Sequence, residues 1–484
     1  MSISGAMSSA LSGLNVASRS AEVVSSNIAN ALTEGYGRRE LQVTARKVGN
    51  SGQGAQVTGI SREVNQVLLG DRRIADATAS NMNRRADFML RLETAIGTPE
   101  NGASLSGRIA AFDTALIAAA AHPESSTRHD DLANTARALT NTFRVISTEI
   151  QSSRSDADTR IANEVSDVNR ALATIAELNR NITASSSGGR DSSALIDQRQ
   201  QLIDRVAEII PLREMPRENG RIALMSTGGA MLLDGKAAQL EFTPAGMIVA
   251  DMTLASGALS GLSINGRPIN TAPNGAIGGG SLAAEFAIRD TLAPAAQKEL
   301  DAVARDLIDR FQDATLDPTI ATAGAGLFTD SGNTFNPADE VGVASRIGLN
   351  ILVDPEKGGA AWRLRDGLGA VSPGPTGQSA LLSAMQSALN EPRSTASGQF
   401  SGGNRSLSGL TGQFTATVAT TRLALETEAG FSAARATALK GLELEGGVDT
   451  DQELQQLLLV EKAFAANAKV IQTADDMLQL LLGL

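Results

Sequence analysis

His122 and His129 are the two histidines of the 484-residue chain, and Glu124, Asp130 and Asp131 lie close to them in sequence. Imidazole and carboxylate together can bind a metal ion or move a proton. The spacing argues against both, because Pro123 prevents one helix from aligning the two rings and no His-Glu-x-x-His pattern is present. The stretch reads instead as a loop and helix start, with Ser126 or Thr127 as N-cap and Asp130 and Asp131 in the first turn. Glycine-rich residues 275–280 and 324–326 lack the Lys-Ser/Thr of a phosphate loop and form no strand–GxGxxG–helix unit, so they read as linkers. No nucleophile elbow accompanies either histidine. Cys is absent, which removes thiolate nucleophiles and Cys-bound metals. Acidic residues with Arg three or four places on, such as Asp87 and Arg91 or Glu177 and Arg180, read as solvated helix faces. The expectation is a protein that is not an enzyme, with no catalytic, cofactor-binding or metal-binding residues.

Composition points the same way. Lys and Arg total 42 against 53 for Asp and Glu, a formal charge of −11, so nucleic acid is not an expected partner. Apolar residues make up 42% but aromatics only 3%, so any core must be built from Ala, Leu, Ile and Val. The length allows roughly three domains at ~150 residues each. No apolar run approaches the ~18 residues of a membrane span, so membrane insertion is not expected. No cation precedes Arg19 and no continuous apolar h-region follows the start, which is unlike a conventional secretory signal. The expectation is a cytoplasmic protein or one exported without cleavage.

The elements that carry a pattern lie at the ends. Ile3, Ala10, Ala17 and Val24 recur every seven residues, as do Met7, Leu14, Ala21 and Ile28. The far end repeats this with Leu457, Phe464, Ile471 and Leu478, and with Val460, Asn467, Ala474 and Leu481. Such alternation marks a helix presenting one narrow seam. Two ordinary surface helices would also show it. The Ala-rich N-terminal seam, which buries little area by itself, favours two unfinished coiled-coil halves awaiting a partner.

Residues 61–96 and 104–121 are helical in pattern. Residues 127–184 then run without Gly or Pro, and a polar stretch at 151–160 shifts the phase of the seam, as a stutter or a bend would. A shorter helix follows at about 191–210, and strands are expected at 221–226, 237–242 and 247–252. Helix returns at 282–316, kinked near Pro294, and again at 404–440. The fold class expected is mainly α at both ends, with β-rich inserted modules, elongated and multidomain. Its parts would be terminal helices at 1–60 and 441–484 that pair on assembly and a helical body at 61–210, 281–318 and 401–440. A β-rich insert would occupy 211–280. A second, outer module at 319–400, partly strand-like at 341–353 and helical at 379–389, would be dispensable for assembly.

Within residues 26–39, Asn27, Asn30, Thr33, Gly35 and Tyr36 resemble the N-terminal signature of the flagellar axial proteins, the rod, hook and hook-associated subunits. There a helix ends in an Asn-rich turn and a Thr-Pro-Gly-Tyr/Phe segment; here Leu32 replaces an Asn and Glu34 the Pro. Residues 465–481, with Ala474 and Asp475, look like the closing helix of the same family. Asp197, Gln198 and Arg199 are similar to an Asp-Gln-Arg-Asp-x-Leu stretch of the hook-associated members, Gln200 standing at the second Asp. Arg289 and Asp290, after a Gly-rich lead-in to Gly280, resemble the return helix of those members. The resemblance implies an extracellular structural subunit of the bacterial flagellum at the hook–filament junction, exported unfolded by the type III apparatus with its N-terminus kept. It implies hook protein, the second junction protein, copies of itself, an export chaperone and the export apparatus as partners, and no cofactor. Hook protein or another axial subunit is the nearest alternative, and a cytoplasmic coiled-coil scaffold a distant one.

Overall fold

The structure is a computed structural model that describes residues 3–33, 35–48, 51–188, 190–321, 323–400 and 403–482. The replacement at Glu34 lies outside the described residues. The chain opens with α1 (Ile3–Ala29), then an antiparallel hairpin of β1 (Arg38–Val48) and β2 (Ser51–Glu63). α2 (Gln66–Ile96) starts from Asn65, whose side chain accepts the Leu68 N–H, and α3 (Leu105–Ala121) from Ser104, which accepts that of Gly107. α4 (Ser126–Ser187) is one helix of 62 residues, about 93 Å at 1.5 Å per residue. α5 (Ser193–Ile209) leads into a four-stranded meander of β3 (Leu212–Pro216), β4 (Ile222–Ser226), β5 (Met231–Asp234) and β6 (Lys236–Ala237). A second small sheet joins β7 (Leu240–Glu241), β8 (Leu262–Ile264) and β9 (Arg267–Ile269).

The chain returns through α6 (Ser281–Ala287) and α7 (Ala293–Phe311), joined by a π-helical turn at Ile288–Leu292 in which the Ala293 N–H bonds to the Ile288 carbonyl. Pro294 has no N–H to continue an α-helical ladder there, and the widened turn absorbs the missing bond. Then come β10 (Phe328–Asp330), α8 (Val343–Arg346), β11 (Ile347–Leu349), α9 (Arg363–Asp366) and α10 (Ala380–Asn390). Two long helices, α11 (Leu407–Glu445) and α12 (Thr450–Leu482), close the described chain.

Two cores share α4. The first gathers Leu92, Phe112, Leu132, Phe143, Ile150, Leu307 and Phe414, from α2, α3, the first half of α4, α7 and α11. The second gathers Ile161, Leu172, Val206, Leu224, Leu240 and Phe286, from the second half of α4, α5, the sheets and α6. The buried stripe of α4 passes from one to the other through Leu139, Phe143, Ile146, Ile150, Arg154, Ala157, Ile161, Val165 and Val168. From Ile146 the spacing is four, four, three and again four, four, three, an eleven-residue repeat. The phase slip is therefore a stutter that the helix runs straight through.

The structure corrects several expectations. Residues 38–63 form a hairpin and not part of a terminal helix, so α2 begins at Gln66. No strand occurs at 247–252, where Val249 and Met252 instead offer carbonyls to Arg154. The division between body and β-rich unit falls across α4 near Asp158 rather than at 210 and 281, since the second half of α4, α5 and α6 supply the second core. Residues 319–400 are not an outer module: Phe328, Val343, Ile347, Leu364, Leu382 and Leu389 are buried in the first core. The rings of Phe112, Phe311 and Phe328 meet there at centroid distances of 5.8, 5.6 and 5.2 Å. α11 continues to Glu445, so the last segment begins at Thr450 and not at 441. The N-cap of α4 is Ser125, one residue earlier than expected, which leaves Asp130 and Asp131 beyond the first turn.

Candidate assembly interface

α1 and α12 lie antiparallel, Asn27 meeting Glu453 at one end while Gly13 abuts the Asn467 side chain further along. A Cβ added at Gly13 would stand 2.6 Å from the Asn467 side-chain amide, so a larger residue there would make that side chain shift. On α1, Ala10, Ala17 and Val24 are buried, and Ile3, Met7, Leu14 and Ile28 are half-buried. On α12, Ala474 is buried and Leu457, Ile471 and Leu478 are half-buried. The two seams thus cover each other within one chain, which corrects the expectation that each is open until a partner arrives. Phe464 sits at the rim, 48% exposed, and Leu481 is exposed.

A polar knot fixes the end of this pair. α1 ends in an Asn-rich turn: the Asn30 Nδ2 donates to the Ser26 carbonyl (2.9 Å) and the Thr33 Oγ1 to the Asn30 Oδ1 (3.2 Å). Gly35 adopts φ +78°, and Tyr36 folds back so that its hydroxyl donates to the Asn27 Oδ1 (2.9 Å). Asn27 is buried and fully used. Its amide oxygen also accepts the Arg39 N–H (3.0 Å), and its Nδ2 donates to the Arg39 carbonyl (2.9 Å) and the Glu453 Oε2 (3.0 Å). Glu453, in the first turn of α12, accepts from Arg38 Nε at 2.7 Å.

Asp197 of α5 ties the same region to the body. Its carboxylate accepts from Arg39 (2.9 Å), Arg62 (2.7 Å) and the Gly37 N–H (3.2 Å). Arg62 also donates to Gln200, so the Gln in place of an Asp keeps an acceptor at that site. Arg199, on the same helix, donates to the Asn179 Oδ1 and the Gly220 carbonyl, each at 2.8 Å, and burial holds its pKa below the usual value. Asn27, Tyr36 and Glu453 are therefore joined directly, and Arg39 links them to Asp197. Thr33, Gln198 and Asp475 are exposed, and Leu32 is 97% exposed.

Arg289 and Asp290 lie elsewhere, at the joint between the two cores. The buried Arg289 guanidinium donates to Asp158 (2.7 Å), to both oxygens of Asp290 (2.8 and 2.9 Å) and to the Ser260 carbonyl (2.9 Å). Arg154 donates to the carbonyls of Arg289 (2.9 Å), Val249 (3.1 Å) and Met252 (2.5 Å). Asp158 also accepts the Ala245 N–H at 2.6 Å. Sequence reasoning passed over Arg154, Asp158, Arg38, Arg62 and Glu453. The one signal for the first two was polar residues standing on the apolar stripe at 151–160. Nearby, burial pushes the Glu164 carboxyl up to about 7.

His122 is exposed, 3.4 Å from Glu124, and His129 is buried in the first turn of α4, its pKa lowered by burial and by Arg365. Among the described residues no group of three His, Cys, Asp or Glu is placed to hold a metal ion, and no helix is long and apolar enough to cross a membrane.

Replacing Asn27 by alanine removes two donors and two acceptances from a buried site, at an expected cost of about 1–3 kcal/mol. Hydrogen exchange checks this. Amides in the first turns of α12 should exchange faster in the variant, and unchanged rates would mean that the knot does not hold the pair.

Three family models match the chain in order. The basal body rod protein model matches residues 7–36, the helical domain of the flagellar hook-associated protein FlgK matches 89–323, and the C-terminal model of the basal body rod FlgEFG proteins matches 445–484. With paired terminal helices around a helical body, these matches make the chain similar to the flagellar axial proteins. Hook-associated protein 1 of Salmonella typhimurium is 27% identical over 250 residues, covering 50% of this chain and 45% of that one. That of Escherichia coli is 25% identical over 287 residues (57% and 52%), and that of Bacillus subtilis 23% over 247 (47% and 48%). Within the axial class, the chain is similar over its central part to the hook-associated protein 1 (FlgK) family. It spans about half the length of the curated relatives it matches. The solved flagellar hook junction protein FlgK from Burkholderia pseudomallei overlaps 54% of this chain and 47% of its own, at 18% identity and a TM-score of 0.45.

Proposed function

We propose that the chain is a non-enzymatic structural subunit of the bacterial flagellum that joins hook to filament by packing α1 and α12 against neighbouring axial subunits. The observation that carries this is the terminal pair itself. Its polar knot is built from the residues of the axial signature, and the pair leaves Leu454, Leu458, Leu459, Phe464, Val470, Met477 and Leu480 of α12 in solvent. A lone helix pair has no use for such a surface; an assembly does. Hook protein, the second hook–filament junction protein and copies of the chain are the partners this reading assigns. It also assigns passage through the type III export apparatus with a chaperone, and a place outside the cell. A sequence without Cys suits a route that passes unfolded chains.

Electron micrographs of cells lacking the chain test this, with hooks retained and filaments lost as the expected result. Loss of the hooks as well would make it a rod or hook subunit. Complementation with Phe464→Asp should fail to restore filaments while the purified variant keeps its helical circular dichroism.

A further inference from the structure

α12 carries a second heptad stripe. Leu459, Ala463, Ala466, Val470, Thr473, Met477 and Leu480 recur in alternating steps of four and three, and all are exposed. Each stands one residue before a position of the seam that faces α1, so the stripe lies about 100° round the helix from it. The stripe is continuous with an interface already made and has no cover of its own.

The same molecule holds a groove that suits such a stripe. It runs along α1 from Ser4 to Arg19, is walled by the β1–β2 hairpin and the α4–α5 corner, and has a cavity volume of about 1280 Å³. Its floor combines Leu11, Leu41, Val57 and Ile60 with small residues such as Ser8 and Gly59, which let a helix approach closely. Its charged lining is Arg19, Arg46 and Arg190 against one carboxylate, Asp191. The stripe is flanked by Lys462 and Lys469 on its first half and by Asp475 and Asp476 on its later half, so charge complementarity with the three arginines sets the later half against them.

We propose that the outer stripe of α12 in one copy docks in the α1–hairpin groove of a second copy of this chain. This rests on the reading of the chain as an axial subunit and names which neighbour each surface takes. Stripe and groove are different surfaces of one molecule, so the contact is heterologous: copies add head to tail and close into a ring or continue as a helix.

The chain has no Cys, so engineered pairs report cleanly. The full-length double variant Val470→Cys with Gln56→Cys, whose sites lie on the stripe and in the groove, is oxidised and run on a non-reducing gel. A ladder of trimers and larger species is expected, and a mixture of the two single variants should stop at a heterodimer. Adding Leu480→Glu to the double variant should abolish the ladder while leaving helical circular dichroism unchanged. Absence of a ladder, a ladder that survives Leu480→Glu, or homodimers of the single variants as abundant as the heterodimer would each overturn the proposal. If the ladder is absent but cells lacking the chain still lose filaments, the docking fails and the axial role stands. If those cells keep their filaments, the axial role fails too.

Discussion

Asp158→Ala should lower the stability of the folded chain by about 3 kcal/mol, the scale for breaking a buried ion pair from one side. Arg289 is fully buried and would keep Asp290 and the Ser260 carbonyl, but its Nη1 would lose the Asp158 oxygen 2.7 Å away. The Ala245 N–H would lose its acceptor at the same time. Asp158→Asn retains an oxygen for one of the two donors and should cost about half as much. The position of the pair matters as much as its energy. Phe143 and Ile150 belong to the first core and Ile161 and Leu172 to the second, and the Arg154–Asp158–Arg289 cluster stands where the two meet. Urea unfolding of Asp158→Ala should therefore broaden or separate into two steps as the cores lose their coupling. A single sharp transition within about 0.5 kcal/mol of the parent, the range of ordinary surface changes, would show that the cluster joins nothing.

Removing residues 320–400 should abolish cooperative folding of the helical body. The segment places Phe328, Val343, Ile347, Leu364, Leu382 and Met385 in the first core, each at most 1% exposed. One such large-to-small loss costs about 2–5 kcal/mol, and several together exceed the roughly 5–15 kcal/mol by which domains are stable. Arg310 adds a second tie, donating from α7 to the carbonyls of Ala388 (2.7 Å), Glu391 (2.7 Å) and Arg405 (3.0 Å) and so fixing the passage from α10 to α11. The point variant Phe328→Ala, which opens the ring trio, should cost about 3–5 kcal/mol. Thermal denaturation followed by circular dichroism is the measurement. A shortened chain that melts in one cooperative step near the parent midpoint would restore the segment to the status of a detachable module.

The sequence made the strongly periodic elements legible and hid those whose stability is borrowed. The terminal seams and α4 announce themselves because their apolar spacing persists over many turns, and Ala10, Ala17, Val24 and Ala474 lie where that spacing puts them. The β1–β2 hairpin was invisible because much of it faces solvent: Gln42, Val43, Thr44 and Ala45 are all exposed, so no inside–outside alternation marks it. The apolar stretch 247–252 misled in the opposite sense, since Met247 is 79% exposed and the loop serves through its carbonyls. The signature residues could be picked out by resemblance, but not their meeting. Asp197 reaches Arg39 and Arg62 across 158 and 135 positions of chain, a distance over which no local pattern operates.

Because α4 is a single shaft serving both cores, its residue count acts as a gear setting. One residue inserted or deleted between Ile150 and Ile161 would turn everything beyond it by about 100° and shift it by 1.5 Å along the axis. Ile161, Val168 and Leu172 would then face water while their counterparts before Ile150 stayed home. Substitutions in that span can be absorbed one side chain at a time, whereas a change of length there would misalign the β-rich unit as a whole, so drift in this part of the chain is confined to residue identity.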